Sequence, residues 1–277
     1  MDERCLDHLL TEEERLAFDR DGYLIVRDAI SASMVDAYLE VTDRVVAERR
    51  KEKGQGPGEV VNILDFISRD ESYLDLIDCP TTFPKVWGIL GWNIQLYHTH
   101  VIVSPPTPEG ADRPLGWHQD TGRLNRELEG SPRPRVSLKV AYFLSDSTQP
   151  GRANLCVVPG SHLINDLDRP KSGRPDGALE VLVAPGDAVF FDRRIWHASS
   201  PNISETTRKV LFYGYSYRWL RPRDDMEVGR YVDACGPVRR QLLGCGTGGF
   251  GYTSPRDEDV PLRSWIRDHI GEEAVAP

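Results

Sequence analysis

The sequence predicts a mostly β architecture, a sandwich or barrel with flanking helices, and three observations carry that expectation. From Trp92 onward, short runs rich in β-branched and aromatic residues alternate with Pro, Gly and Asp, the texture of strands joined by turns. Eight such runs follow one another with no helical pattern between them, as in a sandwich or barrel. Helical periodicity is confined to residues 1–91 and to the tail.

The elements are expected in this order. Thr11-Glu12-Glu13-Glu14 is a capping box that starts a short helix, and Gly22 ends it. Tyr23 to Val26 reads as a strand. Ser31 or Ser33 starts a second helix, in which Met34, Val35, Tyr38, Val41 and Val45 recur at helical spacing. KEKGQGPGE is then a solvated loop, and Tyr73 to Leu90 is helical in pieces broken by Pro80 and Pro84. The eight strands are Ile94–Val103, Leu115–Gln119, Val136–Leu144, Leu155–Val158, Leu179–Val183, Ala188–Phe191, Ile195–Ala198 and Lys209–Tyr217, with a closing helix at Leu262–Ile270. Without internal repeats or low-complexity segments, the economical organisation is a single domain over 1–277. In it, 1–91 form a mainly helical layer, 92–220 the β core and 221–277 a C-terminal extension.

Composition excludes several classes of function. At 277 residues the chain can bury a substantial core. A formal net charge of −9 gives no basic field for a phosphate backbone, so nucleic acid is not an expected partner. No apolar run approaches the roughly 20 residues needed to span a bilayer, and MDERCLDHLL is acidic where a secretory signal is basic and then apolar. The expectation is a cytoplasmic protein, monomer or homodimer, without membrane partners. Its five cysteines are scattered, form no C-x-x-C pair and read as reduced thiols that fill space.

The stretch GWHQDTG, Gly116 to Gly122, carries the first chemical signal. In extended backbone, side chains alternate, so His118 and Asp120 share a face. With His197 from FFDRRIWHA they make two imidazoles and one carboxylate, the facial triad that holds Fe(II) and leaves coordination positions open for oxygen chemistry. A zinc hydrolase uses the same ligand types. Arg208, eleven residues after His197 and just before the apolar run KVLFYGY, bears on that choice. An arginine entering a buried strand needs a carboxylate for its planar fork, and a dicarboxylate co-substrate such as 2-oxoglutarate would supply one. A salt bridge to one of the chain's own Asp or Glu residues would do the same.

The order His118-x-Asp120, VPGSH at Val158 to His162, GDAVFF at Gly186 to Phe191, Trp196-His197 and Arg208 resembles the phytanoyl-CoA dioxygenase family of Fe(II)- and 2-oxoglutarate-dependent oxygenases. The resemblance runs from about Phe18 through Trp219, and QLLG at 241–244 and VPLR at 260–263 are similar to segments of bacterial members. It implies a double-stranded β-helix, a cupin-like jelly-roll barrel, with His118 and Asp120 ending its second strand, His197 opening the seventh and Arg208 opening the eighth. It further implies Fe(II), 2-oxoglutarate and O2 as cofactor and co-substrates, with Arg208 on the distal carboxylate of 2-oxoglutarate. The implied reaction is hydroxylation or another oxidation of an unactivated C–H in a small metabolite, with release of succinate and CO2, in bacterial secondary metabolism or catabolism.

Many family members have Lys-Pro-Pro after the first barrel strand, where this chain has Ser104-Pro105-Pro106. Lys139 is the candidate to replace that lysine on the co-substrate, the alternative being a side chain that snorkels to solvent. Candidate substrate contacts are His98, His100, Arg123, Arg126, Trp196 and Tyr215, the arginines favouring an anionic or strongly polar molecule. The segment Thr121 to Arg135 is expected to be a loop that closes over substrate as a lid. Two rivals from other classes are a zinc-dependent hydrolase built on the same ligands and a non-catalytic barrel that binds a small ligand.

Overall fold

A computed structural model describes the chain except residues 109, 111–114, 169, 171–172, 247–250, 254 and 277. Contacts divide the chain into two compact units, one made of Glu12–Ile63 and Val101–Phe212, the other of Met1–Thr11, Leu64–His100 and Tyr213–Pro277.

The first unit begins with helix α1, Glu12–Asp21, directly after Thr11. Gly22 follows with φ +80°, a left-handed conformation that suits glycine, and strand β1, Tyr23–Val26, leads on. Helix α2, Ala32–Lys53, is capped by Ser31, whose side chain accepts from the Met34 amide. It buries Val35, Tyr38, Thr42, Val45 and Val46 and stops at Gly54 with φ +65°. Lys51 to Lys53, expected in the following loop, therefore belong to the helix. Straight-chain residues suit a helix interior, and lysines in the last turn complement its dipole.

Strands β2 (Val61–Leu64), β3 (Ile94–Ser104), β4 (Ser137–Phe143), β7 (Ala188–Asp192) and β9 (Arg208–Tyr217) join β1 in a six-stranded sheet of order β1-β7-β4-β9-β3-β2. Strands β5 (Leu155–Val157), β6 (Leu179–Glu180) and β8 (His197–Ser199) form a second sheet of order β6-β5-β8. Strands β1 and β4 flank β7 in antiparallel register, with Tyr23 opposite Phe191 and Lys139 also opposite Phe191. Alternation places Ala141 and Phe143 of β4, Val189 and Phe191 of β7 and Val210 and Phe212 of β9 on the inner face. There they meet Leu155, Val157, Val181, Val183 and Ile195 in one apolar core. Two antiparallel sheets around such a core are the expected jelly roll.

Seven of the eight expected barrel strands are present. The exception is Leu115–Gln119, where only His118 pairs, in an isolated antiparallel bridge to His197. Glycine at 116 and the tight Trp117 N–H to Leu115 carbonyl bond (2.9 Å) curl the segment out of ladder geometry. The segment Thr121–Arg135 is not a continuous loop either. It contains helix α4, Gly122–Glu127, with Arg123 paired to Glu127 one turn on.

The second unit packs aromatic side chains. Phe66 meets Tyr73 and Tyr213 edge to face, and Phe83 meets Trp87. Helix α3, Phe83–Leu90, carries Pro84 within its first turn, where the missing N–H costs nothing, so Pro84 does not break it as expected. Two short helices, α5 (Gly229–Val232) and α6 (Pro237–Leu242), precede α7, Pro261–Ile270, the expected closing helix. All five cysteines are free, four of them buried and Cys245 exposed. Among the described residues no helix is long and apolar enough to cross a membrane.

Candidate active site

The bridge that replaces the second barrel strand positions the site. His118 and His197 exchange backbone bonds of 3.0 and 2.9 Å, and the Asp120 amide donates to the Arg193 carbonyl at 2.9 Å. Three side chains thereby converge. Nε2 of His118 and Nε2 of His197 each lie 3.9 Å from Asp120 Oδ1, and the ligand atoms of all three residues lie within 4.8 Å of one another.

Each imidazole is oriented by its own chain. His118 Nδ1 lies 2.8 Å from the Gly116 carbonyl and His197 Nδ1 lies 2.9 Å from that of Ile195. A carbonyl only accepts, so Nδ1 carries a proton in both rings, and in the neutral imidazole Nε2 is the atom that keeps a lone pair. That tautomer is the one a metal ligand requires. Burial lowers the His197 pKa to about 4, against the opposing pull of Asp120, so this ring is neutral near pH 7. For Asp120, burial pushes the pKa upward, but Lys139 and the two imidazoles outweigh it and hold the carboxylate well below its usual range. Lys139 Nζ stands 3.0 Å from Asp120 Oδ2.

Arg208 opens β9 on the inner face, in line with Val210 and Phe212, and is only 2 % exposed. Its guanidinium rests over Phe143 at 5.3 Å and Phe212 at 5.9 Å. All three of its nitrogens lack a hydrogen-bond partner, and no carboxylate among the described residues pairs with it. Burial lowers its pKa to about 10, which still leaves it charged at neutral pH. Ring contacts connect it to the triad: Phe212 meets Phe191 at 6.4 Å, and Phe191 meets His197 at 5.2 Å.

The other expected site residues are distributed as follows. Trp196, next to His197, is buried in a cluster with Trp117, Cys156, Val158 and Ala198. Arg123 and Arg126 project from α4 into solvent, Arg123 engaged with Glu127. His98, His100 and Tyr215 belong to the other unit. There His98 Nδ1 lies 2.9 Å from both oxygens of Asp224, its ring 4.6 Å from that of His100, and the buried Tyr215 hydroxyl donates to the Ile77 carbonyl at 2.7 Å. The VPGSH motif is a packing device: Ser161 Oγ accepts from the Trp196 amide at 2.9 Å, and His162 Nε2 donates to the Asp19 carbonyl at 3.0 Å.

Sequence reasoning missed Arg193, which is fully buried. Its guanidinium donates to Thr121 Oγ1 (3.0 Å), to Asn125 Oδ1 and to the Pro134 carbonyl (2.8 Å), while Asn125 Nδ2 donates to the Asp120 carbonyl (2.9 Å). Arg193 thus ties the segment that follows Asp120 to the strand that leads to His197. Two arginines inside the apolar run FFDRRIWHA were the available signal, since a buried arginine demands partners.

Comparison with known proteins follows the same outline. The family model described as Phytanoyl-CoA dioxygenase (PhyH) matches residues 18–210. The ectoine dioxygenase of Stutzerimonas stutzeri is 24% identical over 72% of this chain and 74% of its own length. Among solved structures, EctD from S. alaskensis with bound Fe superposes with a TM-score of 0.60, 20% identity and coverage of 81% of this chain and 85% of that one. HygX from Streptomyces hygroscopicus with nickel and 2-oxoglutarate bound gives 0.60, 16% identity, and 77% and 89% coverage. With the match extending over most of the chain and the triad assembled as the motifs require, the protein belongs to the phytanoyl-CoA dioxygenase family.

Proposed function

We infer that this chain is an Fe(II)- and 2-oxoglutarate-dependent oxygenase that oxidises an unactivated C–H bond of a small-molecule metabolite, with hydroxylation as the outcome. The observation that carries the reading is Arg208, a buried cation with no carboxylate among the described residues to satisfy it. A salt bridge would have explained an arginine here. Its absence among the described residues leaves a built-in demand for a planar anion, which the distal carboxylate of 2-oxoglutarate meets.

The residues present fit both groups. His118 and His197 offer Nε2 atoms, Asp120 offers a carboxylate, and no thiolate lies in the set, a donor combination suited to Fe(II) with open positions. Arg208 would take the distal carboxylate of 2-oxoglutarate through its two-pronged fork. Dioxygen activation, coupled to conversion of 2-oxoglutarate into succinate and CO2, is the chemistry that the metal and co-substrate supply when bound. The chain's own part is to orient and to exclude. The Gly116 and Ile195 carbonyls hold the Nδ1 protons and fix the planes of the two rings. Phe143, Phe191 and Phe212 belong to an apolar interior, in which an ion pair to Arg208 is worth far more than in water. Arg123 and Arg126, exposed on the segment after Asp120, are the residues this reading assigns to an anionic substrate. The ectoine dioxygenase relative supports a small-molecule substrate.

The test is turnover of a panel of small metabolites by anaerobically purified, Fe(II)-loaded protein on admission of O2, read as succinate above the uncoupled background. Succinate and product should form in step and only when both O2 and 2-oxoglutarate are present. Conversion that persists without either establishes the hydrolase instead.

A further inference from the structure

We propose that Lys139 is a positioning residue for Asp120: it occupies the outer carboxylate oxygen and so leaves Asp120 one oxygen for the metal. The inference rests on the metal reading above and deepens it.

The two oxygens of Asp120 have different surroundings. Oδ1 is the atom 3.9 Å from Nε2 of both imidazoles, whereas Oδ2 faces Lys139 Nζ at 3.0 Å as an ion pair without hydrogen-bond alignment. The division follows from the fold. Lys139 shares the inner face of β4 with Ala141 and Phe143 and stands opposite Phe191, with Nζ 6.0 Å from that ring. Its side chain is 5 % exposed, so the ammonium does not reach solvent. A buried ammonium is costly unless paired, and Asp120 is the carboxylate that pairs with it among the described residues. The pair is neutral, so the interior holds both charges before any metal arrives.

The consequence concerns coordination. A carboxylate with both oxygens free can chelate through two atoms and take up a position that the co-substrate needs. Held at Oδ2 by Lys139, Asp120 contributes one atom, and three protein atoms leave three positions open. The sequence pointed Lys139 at 2-oxoglutarate; the geometry points it at the ligand that stands beside the metal.

Co(II) without 2-oxoglutarate separates the two roles, because it reports the ligand set alone. Lys139→Met keeps the length and removes the charge. Its Co(II) visible spectrum should change in position and lose intensity as Asp120 binds through a second oxygen. Its Co(II) affinity should rise on the order of tenfold, since a like charge beside the cation is gone. The dissociation constant for 2-oxoglutarate on the Co(II) protein should then rise on the order of 10- to 100-fold. Lys139→Arg should keep the wild-type spectrum. X-ray absorption of the Co(II)-loaded wild type reads one-oxygen carboxylate binding without any variant, and two-oxygen binding there overturns the proposal. So does a Lys139→Met protein whose Co(II) spectrum and affinity match wild type, even if 2-oxoglutarate binds more weakly, because that pattern belongs to a lysine touching the co-substrate. A wild-type protein that takes up no Co(II) overturns the metal reading itself, and this inference with it.

Discussion

Replacing Arg208 by methionine removes the positive charge and keeps most of the apolar stem, with opposite consequences for the ligand-free and the loaded protein. Burial lowers the Arg208 pKa from 12.5 to about 10, and at roughly 1.36 kcal/mol per tenfold the charge costs the fold about 3 kcal/mol. A base whose folded value lies below its unfolded one carries this penalty at every pH below about 10, so it is constant across the neutral range. The contacts over Phe143 and Phe212 return roughly 0.5 to 2 kcal/mol. Metal-free Arg208→Met should therefore be more stable than wild type by about 1 to 3 kcal/mol, a rise in melting temperature of roughly 2 to 8 °C for a chain of this size. Binding tells the reverse story. Two charge-assisted hydrogen bonds at about 1.5 to 3 kcal/mol each disappear, so 2-oxoglutarate should bind roughly 100- to 10,000-fold more weakly. Thermal melting of the metal-free proteins reads the first effect, and melting of the Co(II)-loaded proteins under nitrogen, with and without 2-oxoglutarate, reads the second. A variant that melts several degrees below wild type without ligands would show that Arg208 serves the fold through a partner of its own. An equal upward shift by 2-oxoglutarate in both proteins would remove Arg208 from the co-substrate site.

Other perturbations bear on the site and its supports. His197→Ala should abolish turnover and cut metal uptake from about one ion per chain while leaving the far-ultraviolet circular dichroism of the barrel intact; full activity would remove His197 from the site. Gly22→Ala puts a Cβ 2.5 Å from His162 Nδ1 at a φ of +80°, so it should destabilise by at least about 2 kcal/mol in chemical denaturation, and a neutral result would refute the close packing of VPGSH on the α1 terminus. Arg193→Met strands Asn125 and the Pro134 carbonyl, and should speed hydrogen exchange across residues 121–135 and cost about 3 kcal/mol; unchanged exchange would show that the segment is held by other means. Burial lowers the His162 pKa below 6.5, so the unfolded chain binds the proton more readily and stability should fall as pH drops below that value. His162→Asn should flatten that part of the metal-free stability profile, and an identical slope would assign it to other groups.

The local elements and the chemical types were legible in the residues themselves. Ser31 opens α2 because a hydroxyl cap acts on its own neighbours, and the apolar alternation of β4, β7 and β9 states which face is buried wherever the strand goes. His118, Asp120, His197 and Arg208 stood out because an H-x-D pair, a distant histidine and an arginine at a strand entrance are rare combinations whose spacing survives without the structure. Tertiary structure decided how those groups are used. Whether Arg208 would find a carboxylate in its own chain depends on every side chain folded around it, and none among the described residues pairs with it. The choice of Asp120 as partner for Lys139 arises from the inner face of β4 meeting a segment nineteen residues earlier. The second barrel strand failed as a ladder, leaving a single His118–His197 bridge, because strand propensity says nothing of whether a partner of matching length lies alongside. Propensity and periodicity are set by each residue and its near neighbours, whereas ion pairs and ligand geometry are set by chain closure, which brings together groups that no local pattern relates.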